Sequence, residues 1–292
     1  MLNVIFEIEA RKQAGAETII VVDDIADSFD YKNKYAIIHY LKEIADSGAF
    51  KQLILTHNFD FFRTIQSRFV NYQNCFMASK DSAGLSLGAA SGIKNVFVND
   101  WKVNFFKDAK KRIASIPFIR NIVEFIRGGA DPAFSQLTSL LHWKADSNTI
   151  SEGDLDKIYS TLFGETGTWP DGQRFVFDSI RQQADDCLKA GQGINFENKI
   201  VLSIAIRLIS EKFLVEQIKD PTFVAKIDAN QTPRLLAKFS GKFAGHPAIN
   251  IIEKVVLMTP ENIHLNSFMY EPILDMSDEH LRKLYGEVTA LQ

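Results

Sequence analysis

Short apolar runs alternate with spaced apolar residues along the first third of the chain. Ile19–Val22 are four consecutive β-branched residues, and such a run is typical of a parallel strand that is covered on both faces. The pattern therefore predicts a buried strand over Thr18–Asp23. A second buried strand is predicted over Gln52–Thr56, and apolar residues three or four positions apart predict a helix over Tyr31–Ser47 between the two strands.

Further elements extend this pattern as far as Trp101. A short helix is expected from Asp60 to Arg68, strands are expected at Tyr72–Ala78 and Asn95–Val98, and a loop is expected over Ser79–Gly92. The order strand, helix, strand, helix, strand is typical of an α/β fold with a doubly wound parallel sheet.

The rest of the chain has helical spacing almost throughout. We therefore predict two domains, with residues 1–112 forming part of an α/β core and residues 113–292 forming a mainly α-helical domain. The helices expected after Trp101 are Phe105–Ile113, Pro117–Ile126, Ala133–His142, Asp154–Phe163, Gln173–Lys189, Glu197–Ile218, Thr232–Lys238, Ile249–Val256 and Asp278–Leu291.

The composition is that of a globular protein and excludes several classes. With 33 basic and 36 acidic residues the net charge is −3, which argues against an overall basic nucleic-acid binder. The two cysteines, Cys75 and Cys187, share no metal-ligand spacing and exclude a disulfide framework. No apolar run approaches the ~20 residues that cross a bilayer. Glu7 and Glu9 lie where a signal peptide is apolar, so we expect a cytoplasmic protein without membrane association.

Two acidic residues end the first predicted strand. Asp23 and Asp24 stand at its carboxyl end, which is where an open parallel sheet binds its ligands. In nucleotide-binding proteins an Asp at this place helps to hold magnesium, and a second acid beside it can polarise an attacking water. A turn that only caps the following helix uses the same residue types, so the acids by themselves leave both interpretations open.

The order of the acidic and histidine segments resembles the second half of an ABC-type ATPase core, with its P-loop NTPase fold, over Thr18–Arg63. The resemblance implies that Asp23 and Asp24 are the Walker B residues, with Asp23 as the magnesium ligand and Asp24 where most of these enzymes have a catalytic Glu. It also implies that His57, directly after the second strand, is the switch histidine. The residues that resemble the nucleotide-binding D-loop are Asp27, Ser28 and Asp30.

The surrounding residues are similar to one branch of that family. Two aspartates at 23–24 and a Phe-rich segment after His57 resemble the ABC-like ATPases of phage defence, including the PrrC/RloC-like anticodon nucleases. This likeness implies ATP and Mg²⁺ as cofactors and a role in antiphage defence.

The phosphate-binding sequence G-x-x-x-x-G-K-[ST], or Walker A, does not occur in the chain. Its backbone N–H groups and its Lys hold the phosphates of the nucleotide. Gly88–Lys94 has a different spacing, and Leu85–Gly88 imitates the ABC signature but follows the histidine. We therefore expect the C-terminal part or a subunit of an ATPase. Its ATP site is completed in a homodimer, or by a partner chain that carries Walker A and the signature.

The helical half contains residues that suit a metal-free ribonuclease. Arg120 and Glu124 are four residues apart on one helix face, and His142 follows. Such an enzyme needs a base, an acid and a cation at the phosphate, and these three residues supply them. The anticodon-nuclease ATPases also place an Arg-x-x-x-Glu pair and a later His after their ATPase core, which implies RNA, such as tRNA, as a partner. A structural ion pair and an unrelated histidine explain the same pattern.

The same spacing recurs at Arg207 and Glu211, followed by His264 and Asn266. This second set weakly resembles the helical HEPN-type ribonucleases, so a ribonuclease effector is the alternative to an ATPase subunit. A non-catalytic interaction module, in which the ATPase remnant has lost nucleotide binding, is the third interpretation.

Overall fold

The computed structural model describes residues 2–15, 17–25, 34–81, 84–90, 97–189, 196–259 and 278–291. The chain divides into two compact units. The first contains Met1–Lys80 and Leu85–Ile93, and the second contains Asp81–Gly84 and Lys94–Gln292. Over the described ranges, every helix is too short or too polar to cross a membrane.

The first unit is built around two parallel strands, β1 (Thr18–Asp23) and β2 (Phe50–Leu55). In their register Thr18 lies opposite Phe50 and Asp23 lies opposite Leu55, so the two carboxyl ends are level. The prediction that these strands are adjacent and parallel is therefore confirmed. The helices of this unit are α1 (Leu2–Ala14), α2 (Lys34–Asp46) and α3 (Phe59–Arg68).

One face of the β1–β2 sheet carries the core of this unit. Side chains alternate between the two faces of a strand, so Val22 and its neighbours two residues away point to the same side. This inner face packs against α2 and α3, and Asn58 caps α3 by accepting a hydrogen bond from the Phe61 backbone N–H at 2.8 Å. The buried members of this cluster are Val22, Ile37, Ile38, Leu41, Phe61 and Ile65.

The prediction of a third parallel strand is wrong for the residues that the structure describes. β3 (Phe76–Asp81) pairs with β4 (Gly84–Ala89) in a separate two-stranded sheet, although the β4 residues were expected to form a loop. Within the described residues β3 pairs with β4 and not with β1 or β2, so it does not extend the parallel sheet. Asn95 and Val96 lie outside the described residues, and Phe97–Trp101 is a π-helical turn instead of a strand.

From Phe97 onward, the described residues of the second unit are mainly helical. Its main part begins at Lys94, whereas the sequence predicted a boundary at residue 112. Helix α5 (Ala109–Arg127) spans the predicted boundary as one continuous helix that contains Pro117. Pro117 was expected to start a helix; it lies inside one and removes a single backbone N–H from the hydrogen-bond ladder. The other helices are α4 (Lys102–Asn104), α6 (Pro132–Ser139), α7 (Glu152–Phe163), α8 (Val176–Lys189), α9 (Phe196–Ile218), α10 (Pro221–Ala225), α11 (Gln231–Lys242), α12 (Ala248–Met258) and α13 (Asp278–Thr289).

Helix α9 is the centre of this unit. It is buried along most of its 23 residues and packs against α5, α8, α11, α12 and α13. A helix that is surrounded in this way has apolar residues on all sides, as in the segment Ile200–Ile209. The polar residues on it are therefore buried as well, and they need partners inside the protein.

Replacing Gly167 by alanine is expected to destabilise the second unit by about 1–3 kcal/mol, because the partly buried segment around it has no room for a methyl group. An added Cβ would lie 2.5 Å from the ring of Phe106, and that ring is itself held against Phe105 and Tyr159. Chemical denaturation measures the change. Gly241→Ala is the control, since it lies on an exposed part of α11 with nothing within 4 Å, and it should be neutral or stabilising.

Candidate functional site

The carboxyl ends of β1 and β2 bring Asp24 and His57 into contact. The Nδ1 atom of His57 lies 2.7 Å from the Oδ2 atom of Asp24, and both side chains remain partly exposed. The two residues are distant in sequence, and the parallel register of the strands places them side by side. The expected meeting of the second acid with the histidine at this edge of the sheet is therefore found.

Local backbone structure holds both partners. Asp24 has a φ of 50°, which few residues other than glycine adopt, and its N–H donates to the Leu55 carbonyl at 2.9 Å. On the other side, the Asn58 N–H donates to the Thr56 hydroxyl at 3.1 Å, and Asn58 caps α3. His57 thus lies in a short turn that is fixed between a strand end and a helix start.

The remaining residues implied by the ABC resemblance have different outcomes. Asp23 lies in the same strand end as Asp24 and is exposed. Asp27, Ser28 and Asp30 lie outside the described residues. Among the residues that the structure describes, no three His, Cys, Asp or Glu side chains come together as a metal site. Asp23 as a magnesium ligand therefore stays a prediction, and magnesium at such sites is held partly by the nucleotide phosphates.

The proposed ribonuclease triad is divided between two places. Arg120 pairs with Glu124 at 3.1 Å and also donates to the Thr138 hydroxyl at 3.1 Å, while its guanidinium lies over the Phe134 ring. Burial lowers the pKa of Arg120, although Glu124 opposes that effect. His142 does not complete an exposed pocket with this pair: it is buried, and its ring bonds to Glu211.

Glu211 is the centre of a buried polar cluster. Its Oε1 atom lies 3.0 Å from Nδ1 of His142 and accepts a hydrogen bond from the Thr232 hydroxyl at 2.6 Å. Its Oε2 atom accepts from the Trp143 backbone N–H at 2.7 Å and from the Gln231 side-chain amide at 2.8 Å. Four donors from two segments of the chain, at residues 142–143 and 231–232, thus converge on one carboxylate that is 0% exposed.

The charge of Glu211 is stabilised by these contacts. Burial alone raises the pKa of a carboxyl, but His142, Thr232 and nearby Arg207 together hold the pKa of Glu211 below its ordinary value. Arg207 lies one turn earlier on α9 and donates to the Thr259 carbonyl. The sequence suggested a second ribonuclease site of Arg207, Glu211, His264 and Asn266. The structure places His142 beside Glu211, and His264 and Asn266 lie outside the described residues.

A second buried ionic group connects α5 to α7. Nε of Arg112 donates to Glu152 at 2.7 Å, and its NH2 group lies 2.8 Å from Asp156. Asp156 also accepts from the Trp169 backbone N–H at 2.8 Å, and the guanidinium lies over the Phe105 ring. In the sequence Arg112 ends the basic run Lys107–Arg112, and such a run gives no indication of this buried group. The local indication of burial is the largely apolar segment Ile113–Ile119 that follows Arg112.

The pH dependence of stability is expected to report on Glu211. Its pKa is lowered in the folded state, so its contribution is fully present above the ordinary value of 4.5 and is lost as the pH falls through the folded pKa. We expect the melting temperature to decrease as the pH is lowered below about 4.5. Differential scanning calorimetry from pH 7 to pH 3 checks this, and Glu211→Gln should show a shallower loss below pH 4.5 than the unaltered protein.

No protein-family model, curated protein or solved structure matches this chain.

Proposed function

We propose that the first unit supplies the acid–histidine half of a composite ATP-hydrolysing site, as a subunit or part of an ABC-type ATPase in antiphage defence. The observation that carries the proposal is the 2.7 Å contact between Asp24 and His57 at the carboxyl ends of adjacent parallel strands. This edge of an open α/β sheet is where nucleotides bind. The observed contact joins the two residues that the ABC resemblance names as Walker B acid and switch histidine.

Each residue has a distinct role in this proposal. Asp24 orients a water for attack on the terminal phosphate and accepts its proton. His57 holds the Asp24 carboxylate through Nδ1 and presents the other side of its ring toward the phosphate. Asp23, exposed at the same strand end, would be the residue that holds Mg²⁺, and the ion would supply positive charge against the phosphates. The proposal needs Walker A and the signature from another segment or chain, because the present sequence lacks Walker A.

The ribonuclease alternative has less support. Arg120 and His142 are buried and contact different glutamates, so RNA reaches only Glu124 among the three. The Arg207–Glu211–His142 cluster is also buried, and its carboxylate already accepts four hydrogen bonds from the protein. Such a group stabilises a fold more readily than it activates a ribose hydroxyl.

The test combines this chain with the protein encoded beside it whose sequence contains G-x-x-x-x-G-K-[ST]. We expect the mixture to hydrolyse ATP in the presence of Mg²⁺. The chain by itself should show no micromolar affinity for Mg-ATP in isothermal titration calorimetry, because it lacks the loop that holds the phosphates. Phosphate release measured with the two proteins separately is the control.

Two outcomes would contradict the proposal. One is micromolar binding of Mg-ATP by the chain alone, because a phosphate site of another kind would then exist in it. The other is the absence of any neighbouring Walker A protein that forms a Mg²⁺-dependent ATPase with this chain.

A further inference from the structure

The segment between β2 and α3 carries His57, and a hydrogen bond across this segment fixes its backbone. The Thr56 hydroxyl accepts a hydrogen bond from the Asn58 backbone N–H at 3.1 Å, so the residues on either side of His57 are connected to each other. A threonine whose hydroxyl accepts from the N–H two residues later forms a compact turn. His57 is the middle residue of this turn, and its ring contacts Asp24.

The far side of the turn is anchored in the core of the first unit. The Oδ1 atom of Asn58 accepts a hydrogen bond from the Phe61 backbone N–H at 2.8 Å and thereby caps α3. Phe61 is 3% exposed and belongs to the cluster that covers the inner face of the sheet. The position of Asn58 is therefore set by the buried start of α3, and the Thr56 hydroxyl connects the end of β2 to it.

The other partner of the contact is held separately. The Asp24 N–H donates to the Leu55 carbonyl at 2.9 Å, which fixes the backbone of Asp24 to the end of β2. Leu55 thus places the carboxylate, whereas the turn of Thr56 and Asn58 places the imidazole. The 2.7 Å contact of His57 with Asp24 depends on both arrangements.

The contact by itself is too weak to orient the ring. The side chains of His57 and Asp24 are 57% and 40% exposed. An exposed pair of this kind gains little more free energy than the ordering of its two side chains costs. On an unconstrained backbone the histidine would therefore occupy several rotamers. The orientation that reaches Asp24 needs a backbone that already directs the ring there.

We propose that Thr56 is a positioning residue, whose hydroxyl holds the turn in the conformation that presents the His57 ring to Asp24. This inference rests on the proposed function, because His57 in turn holds the carboxylate that accepts the proton from water. Thr56 acts through His57 instead of on the nucleotide. Its loss should therefore slow hydrolysis without weakening the binding of ATP.

The first measurement uses the full chain by itself. Long-range proton–nitrogen NMR spectra of protein with isotopically labelled histidine report which ring nitrogen of His57 carries the proton, and His57→Gln assigns the signal. A carboxylate at Nδ1 favours the Nδ1–H form, so this form should dominate where the ring is neutral. Thr56→Val keeps the shape of the side chain, and it should lower the ratio of Nδ1–H to Nε2–H about 2–10-fold, as expected for one hydrogen bond. Thr56→Ser keeps the hydroxyl and should retain the ratio.

The second measurement uses the complex with the Walker A protein. Thr56→Val is expected to lower kcat for ATP hydrolysis about 2–10-fold and to leave KM within about twofold. Thr56→Ser should restore the rate. The double variant Thr56→Val/His57→Gln should be no slower than His57→Gln, because the two residues act as one unit. Ser67→Ala removes an exposed hydroxyl from α3 and is the matched control.

The two measurements separate the role of Thr56 from the ATPase proposal. An unchanged tautomer ratio in Thr56→Val, or an equal change in Thr56→Ser, would overturn the positioning role whatever the ATPase rate. A changed ratio in a chain that forms no ATPase would support the positioning role and defeat the ATPase proposal. A further loss of rate in the double variant would overturn the positioning role, because Thr56 would then act by another route. Circular dichroism verifies the fold, and Thr56→Ala replaces Thr56→Val if that variant is unfolded.

Discussion

Replacing Asp24 by asparagine is expected to lower the ATPase rate of the assembled complex by about 10²–10⁴-fold, the usual effect of removing a general base. The substitution keeps the shape of the side chain but removes the carboxylate that accepts the proton from water. It should leave the folding of the chain nearly unchanged, because the Asp24–His57 contact is partly exposed and such pairs contribute little to stability. Steady-state phosphate release with saturating Mg-ATP measures the rate.

Two further variants make this result specific. His57→Gln should also reduce the rate while leaving assembly intact, because it removes the ring that holds the Asp24 carboxylate. Asp46→Asn removes an exposed carboxylate of the same unit, paired with Lys42 on α2, and should have no effect. Equal rates for Asp24→Asn and the unaltered chain would exclude Asp24 as the base.

Replacing Glu211 by alanine is expected to destabilise the second unit by about 3–5 kcal/mol, the typical result of removing one partner from a buried charged pair. The substitution removes the carboxylate that accepts hydrogen bonds from the ring of His142, the backbone N–H of Trp143 and the side chains of Gln231 and Thr232. Each buried polar group without a partner costs about 1–3 kcal/mol, so the sum exceeds what one hydrogen bond contributes. Urea denaturation followed by tryptophan fluorescence measures the change.

Glu124→Ala is the matched control for this experiment. Glu124 also belongs to an i,i+4 pair with an arginine, but its side chain is 44% exposed. Arg120 is buried, but it keeps its hydrogen bonds to Thr138 and Asn121 when Glu124 is removed, so the loss should be at most about 1 kcal/mol. A similar loss in both variants, or a negligible loss in Glu211→Ala, would mean that the buried cluster does not hold α9, α11 and the segment after α6 together.

Most of the candidate site in the first unit could be predicted from the local sequence pattern. Consecutive β-branched residues in β1 and the run in β2 favour neighbouring parallel strands, and residues at the same end of such strands must lie near one another. The contact of Asp24 with His57 therefore follows from strand position and chain direction. That only one face of the sheet is covered could not be predicted in this way. A run of apolar residues predicts burial, but it does not indicate which segment covers the strand.

The separate β3–β4 sheet shows where the local pattern was insufficient. Gly84–Ala89 contains small residues and alternating leucines, and these are compatible with a loop or a strand. The segment forms a strand because it pairs with β3, and its own sequence contains no information about that partner. Pro117 is a similar case, since the packing of α5 on α9 outweighs the one hydrogen bond that proline removes.

The sequence by itself determined the amphipathic and buried segments, the parallel strand pair and the acid and histidine at its carboxyl edge, because each depends on neighbouring residues and on the direction of the chain. Only the tertiary structure decided the partner of His142. Helical spacing pairs Arg120 with Glu124 and Arg207 with Glu211, but it contains no information about a contact 69 residues away. That contact arises because α9 is surrounded by other helices, and a carboxylate buried there must find its donors wherever the packing brings them.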